Sequence, residues 1–147
     1  MKIVVQRVKN ASVKVGERLV SEINQGLVLL VGLHKDDDLK DLKYAASKIA
    51  KLRIFSDDLG LMNLNIKQVK GQILSISQFT IYGDVKKQNR PGFSNAMSYE
   101  IAKQMYQDFN ELLIKEDLSV KEGLFGENMS VSLVNDGPVT IIVDTHE

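Results

Sequence analysis

The chain has 147 residues, of which 44% are apolar and 26% charged, a composition typical of a globular protein and sufficient for one domain over residues 1–147. It contains no cysteine, which excludes disulfides, thiol nucleophiles and thiolate metal ligands, and no apolar run approaches the roughly 20 residues that span a bilayer. Polar residues 6 and 7 come too early for a signal peptide, so we expect a cytoplasmic protein. Because the net charge is zero, any binding of nucleic acid would depend on a local basic patch.

The first part of the chain alternates β-prone runs with turn residues. Residues 2–8, 11–16 and 18–23 are rich in β-branched side chains and predict three strands. Residues 26–33, GLVLLVGL, form an uninterrupted apolar run between glycines, which is typical of a central strand buried on both faces.

Two helices are predicted. Three aspartates at 36–38 precede an apolar stripe at helical spacing, made of Leu39, Leu42, Ala46, Ile49 and Leu52. Acidic side chains suit the positive end of a helix dipole, so we expect them to form the N-cap and first turn rather than a metal site. Ser98 is the predicted cap of the second helix, whose apolar face is formed by Ile101, Met105, Phe109 and Leu112.

The remaining β-prone runs complete the predicted sheet. Further strands are predicted at 52–55, 72–82, 119–126, 129–135 and 138–144. The runs at 56–66 and 83–95 are predicted to be loops, the second of them basic. Many strands with only two helices predict an α/β fold, in which a β-rich curled sheet or barrel-like roll has both helices packed on one side.

Standard catalytic motifs are absent from the sequence. It has no G-x-S-x-G elbow, no H-E-x-x-H helix, no P-loop and no G-x-G-x-x-G turn. The two histidines, His34 and His146, lie in no recognisable nucleophile pattern, and we interpret them as structural or solvated. We therefore expect neither a metal nor a cofactor.

The segment SISQFT combines polar and apolar residues at the predicted end of a strand. Strict alternation places Ser75, Ser77 and Phe79 on one face, and Leu74, Ile76 and Gln78 on the other. Strand ends hold side chains and free amides rigidly, so this segment is a candidate site. The alternative is a strand with one solvated face.

Two other polar segments are unusual. Lys86, Lys87 and Arg90 cluster beside Phe93, a combination that can contact a phosphate backbone and stack on a base, although a solvated loop is the simpler interpretation. In NDGPVT, Pro138 stands where an apolar run begins again, and a proline inside a sheet is confined to strand starts, edges and bulges.

Taken together, six segments resemble the D-aminoacyl-tRNA deacylases, in matching order and from end to end: VQRVKNASVKV, GLVLLVGL, MNLNI, SISQFTIYGD, NRPGFSNAM and FGENMSVSLVNDGPVTIIVD. SQFT and NDGPVT match the two signature segments of that family. The departures, such as Ile81 after the first signature and Gly92 after Pro91, are conservative in size or lie in a loop.

The resemblance implies an editing enzyme that hydrolyses the ester between a D-amino acid and the terminal adenosine of tRNA. It implies a homodimer, in which a cis Gly137–Pro138 peptide reaches from one subunit into the pocket of the other. The carbonyls of this peptide would hold the substrate ammonium and leave no room for an L side chain, so glycine would also be accepted. Selection by exclusion suits an enzyme that must accept many D side chains.

The resemblance also assigns roles within the site. The main chain of Phe79 and Thr80 would position the ester, while Ser77 and Gln78 would shape the adenosine pocket. The 2′-hydroxyl of the RNA would assist the chemistry, which accounts for the missing triad. Arg7 matches a position expected to support the Gly-Pro loop, and the basic residues Lys86, Lys87 and Arg90 would contact tRNA.

Two other functions remain open from the residues alone. A small-molecule ester or amide hydrolase would use Thr80 or Ser77 as its nucleophile, although the sequence places no base to activate either hydroxyl. A non-catalytic RNA-binding module would use the basic loop alone and would show a strong salt dependence.

Overall fold

The computed structural model describes all 147 residues and contains eight strands and two α-helices. The strands are β1 (Lys2–Val15), β2 (Arg18–Ile23), β3 (Gly26–Gly32), β4 (Phe55–Ser56), β5 (Met62–Leu64), β6 (Gln72–Ser77), β7 (Ser119–Glu122) and β8 (Ser130–Asp144). The helices are α1 (Leu39–Lys51) and α2 (Tyr99–Lys115), and a short 3₁₀ helix spans Phe79–Tyr82. None of the helices has the length and apolar character needed to cross a membrane.

Six of the strands form one mixed sheet, in the order β2-β1-β3-β6-β7, with β8 paired to β1. The apolar strand β3 lies in its middle, antiparallel to β1 and parallel to β6. Because neighbours cover both faces of β3, its side chains are almost all buried. The predicted central strand at 26–33 is therefore confirmed.

The sheet curls until it is nearly closed, and each of its faces has its own apolar core. The larger core lies between the sheet and the two helices, and it includes Ile3, Leu29, Ile49 and Phe109. The smaller core lies inside the curl, where Val13, Val28 and Leu74 pack together. The predicted class, an α/β curled sheet with two helices on one side, is confirmed.

Two predicted strand breaks do not exist. The predicted strands at 2–8 and 11–16 are parts of one strand, β1, which ends at Val15, and those at 129–135 and 138–144 are parts of one strand, β8, which begins at Ser130. The polar residues Lys9 and Asn10, which resemble a turn in the sequence, are simply exposed positions of a continuous strand. The 14 residues of β1 pair along their length with β8.

The apparent break at Pro138 is a β-bulge of four residues. Gln6 pairs with Thr140 and Val8 pairs with Asn135, so the single residue Arg7 lies opposite the four residues 136–139. The proline therefore lies where the ladder needs no donor from β8, which satisfies the constraint on proline in sheets.

Other predicted strand bounds were also wrong. The run at 72–82 stops being a strand after Ser77 and becomes the 3₁₀ helix, so the alternation does not extend to Phe79. The predicted strand at 52–55 is the short β4, which pairs with β5 inside the predicted loop 56–66. The predicted strand at 119–126 ends at Glu122.

The helix predictions were correct in position but not in every residue. Asp38 is the N-cap of α1, and its side chain accepts hydrogen bonds from the amides of Lys40 and Asp41 in a capping box. Leu39 is exposed rather than part of the buried stripe. The buried stripe of α2 is displaced from the predicted one, with Phe109 as the only shared residue: Ala102, Tyr106, Phe109, Asn110 and Leu113.

Candidate active site

A pocket of about 460 Å³ opens where β6 ends. Ser77, Gln78 and Phe79 form one wall, and residues 125–129, which connect β7 to β8, form another. The start of α2 contributes the buried Ala102 to the wall and Tyr99, which is largely exposed, to the rim. The lining is mostly apolar with a few polar groups, the usual character of a small-ligand site. The structure thus brings three predicted site residues together in one cavity.

The turn after Gln78 exposes backbone donors beside this pocket. The Gln78 amide still belongs to the sheet edge and donates to the Val31 carbonyl at 2.7 Å. Ile81 then donates back to Gln78 at 3.3 Å, and Gly83 donates to Thr80 at 2.9 Å. The amides of Phe79 and Thr80 come before these donors, at the start of the helical turn, where no earlier helix carbonyl is available to them. The Gln78 side-chain amide donates to the Thr80 hydroxyl.

A buried polar layer lies beneath the pocket. The Tyr106 hydroxyl donates to the Ser75 carbonyl at 2.7 Å, and the Gly123 amide donates to the same carbonyl at 3.0 Å. Burial raises the pKa of Tyr106, so its hydroxyl stays protonated as a donor. These two bonds tie the end of β6 to α2 and to the β7–β8 connection. Tyr106 is not among the predicted site residues, because it lies outside the apolar stripe predicted for α2 and its partner, Ser75, is distant in sequence.

The Gly137–Pro138 peptide, which is cis, lies in the bulge of β8 with both residues exposed. Gly137 has a φ of +125°, and a Cβ added there would lie 2.9 Å from Val139 Cγ2 and 3.0 Å from Arg7 Nη2. The Asn135 side chain accepts a hydrogen bond from the Val139 amide at 3.0 Å across the bulge. Only glycine fits this position without a shift of its neighbours.

Arg7 lies beneath this bulge and is itself buried. Its Nε donates to the Asp136 carbonyl at 3.1 Å, and its Nη1 donates to the Ile54 carbonyl at 2.7 Å. The Asp136 carboxylate lies 3.5 Å from Nε and balances the guanidinium charge. The guanidinium therefore connects the bulge to the residue that precedes β4.

Within one chain, the bulge does not reach the pocket. Val131 of β8 lines the pocket, whereas none of residues 136–139 does. Gly137 is six positions farther along the same strand, which at roughly 3.3 Å per residue places it about 20 Å away. The two signature segments thus lie apart in the monomer.

The basic loop contacts one wall of the pocket through a single aromatic pair. Lys86, Lys87 and Arg90 are all exposed, and none of them forms an ion pair. The Phe93 ring packs edge-on against Phe79, with 5.0 Å between the ring centroids. This contact links the loop that carries the three unpaired cations to the SQFT segment.

Both histidines have carboxylate neighbours away from the pocket. His146 Nε2 lies 2.6 Å from the buried carboxylate of Asp37, which also accepts the amide of His34 and the N-terminal ammonium. Ligand atoms of Asp37, Asp41 and His146 lie within 4.8 Å of one another, an arrangement that could hold a metal. The ammonium already balances the buried charge of Asp37, however, and would repel a cation there.

Tyr82 is the only ionisable residue of the 3₁₀ helix. Burial, with a further contribution from the charge of Asp37, raises the pKa of Tyr82 far above its ordinary value. The hydroxyl is therefore neutral at physiological pH and cannot act as a general base there.

Known proteins resemble this chain in sequence and in fold. The family model for D-Tyr-tRNA(Tyr) deacylase matches residues 4–144. A solved structure described as a c-Myc DNA unwinding element binding protein is 41% identical, with a TM-score of 0.92 and coverage of 99% of both chains. Another, described as a probable eukaryotic D-amino acid tRNA deacylase, is 15% identical, with a TM-score of 0.83 and coverage of 97% of both chains. At that identity the second likeness shows the fold alone.

Proposed function

The chain belongs to the D-Tyr-tRNA(Tyr) deacylase family, whose members hydrolyse aminoacyl-tRNA esters, and we propose that it removes D-amino acids and glycine from tRNA while sparing L-aminoacyl esters. The observation that carries this proposal is the pair formed by the SQFT pocket and a fixed, exposed Gly137–Pro138 bulge. The pocket would take the terminal nucleoside, and the bulge would test the hand of the amino acid.

The terminal adenosine fits the pocket by size and by chemistry. A cavity of about 460 Å³ lies in the usual range for small ligands, and the Phe125 ring in its wall suits a planar base. Ser77 and Gln78 supply polar groups on one wall, where they would face the sugar. With the nucleoside so placed, the ester would lie at the amides of Phe79 and Thr80.

A second subunit would complete the site. Because the bulge lies about 20 Å along β8 from the pocket of its own chain, an ester bound there cannot meet its own Gly137. In a two-fold dimer, each bulge can instead enter the partner's pocket. The long strand β8 pairs only with β1 and exposes the apolar side chains of Val134 and Ile142, which supports its use as an interface.

Chiral selection would follow from backbone alone. The Gly137 and Pro138 carbonyls would accept hydrogen bonds from the substrate ammonium and occupy the space into which an L side chain projects. Arg7 supports this arrangement, since its bonds to the Asp136 and Ile54 carbonyls fix the bulge from beneath. A D side chain would point away from the carbonyls, so the site would not distinguish one D side chain from another.

Hydrolysis would depend on positioning and on the substrate's own 2′-hydroxyl. Water replaces the tRNA oxygen at the acyl carbon, which releases free amino acid and tRNA. The amides of Phe79 and Thr80 would stabilise the developing oxyanion. The Thr80 hydroxyl accepts a bond from the Gln78 side chain and has no base beside it, so the RNA hydroxyl is the better candidate for assistance.

The body of the tRNA would contact the basic loop. Lys86, Lys87 and Arg90 are exposed and form no ion pair, and Phe93 of the same loop contacts Phe79 of the pocket wall. The phosphates of the acceptor end would pass along this loop. We propose a cytoplasmic editing enzyme that needs no added cofactor.

A second candidate function is the binding of DNA without catalysis. The 41% identical protein described as binding a DNA unwinding element favours it, and the exposed basic loop could carry such binding. This function predicts strong salt dependence and no ester hydrolysis.

The test is the decay of matched D- and L-aminoacyl-tRNA with the same tRNA and side chain. The proposal predicts rapid loss of the D ester and survival of the L ester. An Arg90→Gln variant, with the pocket intact, controls for binding through the loop and should chiefly raise KM. Equal stability of both esters with full binding of nucleic acid would favour the second candidate.

A further inference from the structure

The rim of the pocket carries an aromatic surface that the proposed reaction does not use. Tyr99, the first residue of α2, lines the pocket and is 54% exposed. Phe79 is equally exposed, but it belongs to the reacting end, where the ester and the partner's bulge must fit. Tyr99 stands on the other side, next to the β7–β8 connection.

The Tyr99 ring is held in place by its neighbours. It packs edge-on against Phe125, with 5.2 Å between the centroids, and Phe125 in turn contacts the buried Tyr106 at 5.7 Å. A Cβ added to Gly126, whose φ is +79°, would lie 2.6 Å from the Tyr99 hydroxyl oxygen, so the ring rests closely on the Gly126 backbone. A large exposed ring is thus fixed at the mouth.

A cation lies on the same face of the helix. Lys103 follows Tyr99 by four residues, which places both side chains on one side of α2. Lys103 is exposed and forms no ion pair. Proteins that bind single-stranded nucleic acids commonly combine an aromatic ring, which stacks on a base, with a nearby cation, which contacts the phosphate. Tyr99 and Lys103 form such a pair one helical turn apart.

We propose that Tyr99 is the stacking platform for the nucleotide that precedes the terminal adenosine, and that Lys103 contacts its phosphate. This inference rests on the proposed function, because it assumes that the adenosine occupies the pocket. With the adenosine in the pocket, the rest of the strand leaves over the rim. The stacked base would hold the acceptor end single-stranded and would add binding energy outside the reacting site.

The test measures binding without catalysis. The affinities of the trinucleotide CCA and of adenosine are compared for the wild type, Tyr99→Ala and Tyr99→Phe. We expect Tyr99→Ala to weaken CCA binding about 5- to 150-fold, the usual effect of losing one base–aromatic stack, and to leave adenosine binding unchanged. Tyr99→Phe should match the wild type, since the ring remains.

The matched control is Tyr44→Ala on α1. Tyr44 is 52% exposed with Lys48 four residues later, its ammonium 5.5 Å from the ring, and it lies outside the pocket. This variant should bind CCA normally. With D-aminoacyl-tRNA, Tyr99→Ala should raise KM and leave kcat nearly unchanged.

Three outcomes would overturn the inference. CCA could bind no more tightly than adenosine to the wild type, Tyr99→Ala could bind CCA normally, or it could lose adenosine as well, which would make Tyr99 a wall of the nucleoside pocket. If Tyr99→Ala does not fold, the more conservative Tyr99→Leu variant decides the question. Binding results stand even if no ester is hydrolysed, so failure of the proposed function is seen separately.

Discussion

Replacement of Gly137 by alanine should slow deacylation about 10²-fold in a chain that remains folded. At a φ of +125°, an alanine is strained by about 1–3 kcal/mol. Its Cβ would also lie 2.9 Å from Val139 Cγ2 and 3.0 Å from Arg7 Nη2, closer than side chains tolerate. A whole domain has about 5–15 kcal/mol of stability, so this loss weakens the fold without removing it.

The effect on activity is expected to exceed the effect on stability. To relieve the contact, either the bulge or Arg7 must shift, and Arg7 is held by its 2.7 Å bond to the Ile54 carbonyl. The bulge therefore moves, and with it the carbonyls proposed to orient the ammonium. A misplacement of about 1 Å in a positioning group costs about 10²-fold in rate.

The assay pairs urea unfolding at fixed protein concentration with decay of a D-aminoacyl-tRNA. Gly16→Ala is the matched control, because Gly16 also has a positive φ, +58°, but a Cβ there meets nothing within 4 Å. The control should lose some stability and retain full activity. If Gly137→Ala hydrolyses the D ester at the wild-type rate, the role assigned to the bulge is wrong.

The remaining predictions concern assembly and chemistry. Sedimentation should give twice the 16.5 kDa of the chain, and a fully active monomer would contradict a shared site. A 1:1 re-associated mixture of the Gly137→Ala chain with a pocket-filling Ser77→Trp chain should recover about a quarter of wild-type activity. Half of the dimers are then mixed, and each mixed dimer has one complete site. If no activity is recovered, the pocket and the bulge of one site must come from the same chain. Thr80→Ala should retain substantial activity while a 2′-deoxy substrate resists hydrolysis, and the opposite pattern would indicate a protein nucleophile.

The sequence predicted the parts of the fold that repeat a simple pattern. The run at 26–33 could be identified because a strand buried on both faces needs no polar residues, and α1 could be identified because acids precede a 3.6-residue stripe. The two long strands were divided because exposed polar residues, such as Lys9 and Asn10, resemble turns when the partner strand is unknown.

The candidate site was less predictable from local pattern. FTIY has strong β propensity, yet it forms a 3₁₀ helix after the sheet ends at Ser77. Tyr99 and Tyr106 were missed because their roles depend on contacts with the β7–β8 connection and with Ser75, which are distant in sequence. The separation of the bulge from the pocket depends on strand register, which no local motif records.

The most direct test of selection by exclusion compares glycyl-, D-alanyl- and L-alanyl-tRNA under one set of conditions. Glycine has no side chain for the Gly137 and Pro138 carbonyls to reject, and its ammonium can be held as that of a D-residue would be. A methyl group in an attractive pocket changes binding by only about 1–3 kcal/mol, whereas a clash with fixed backbone costs more. We predict decay of the glycyl and D-alanyl esters and survival of the L-alanyl ester. A glycyl ester as resistant as the L-alanyl ester would show that the site reads a D side chain directly, and would contradict the account.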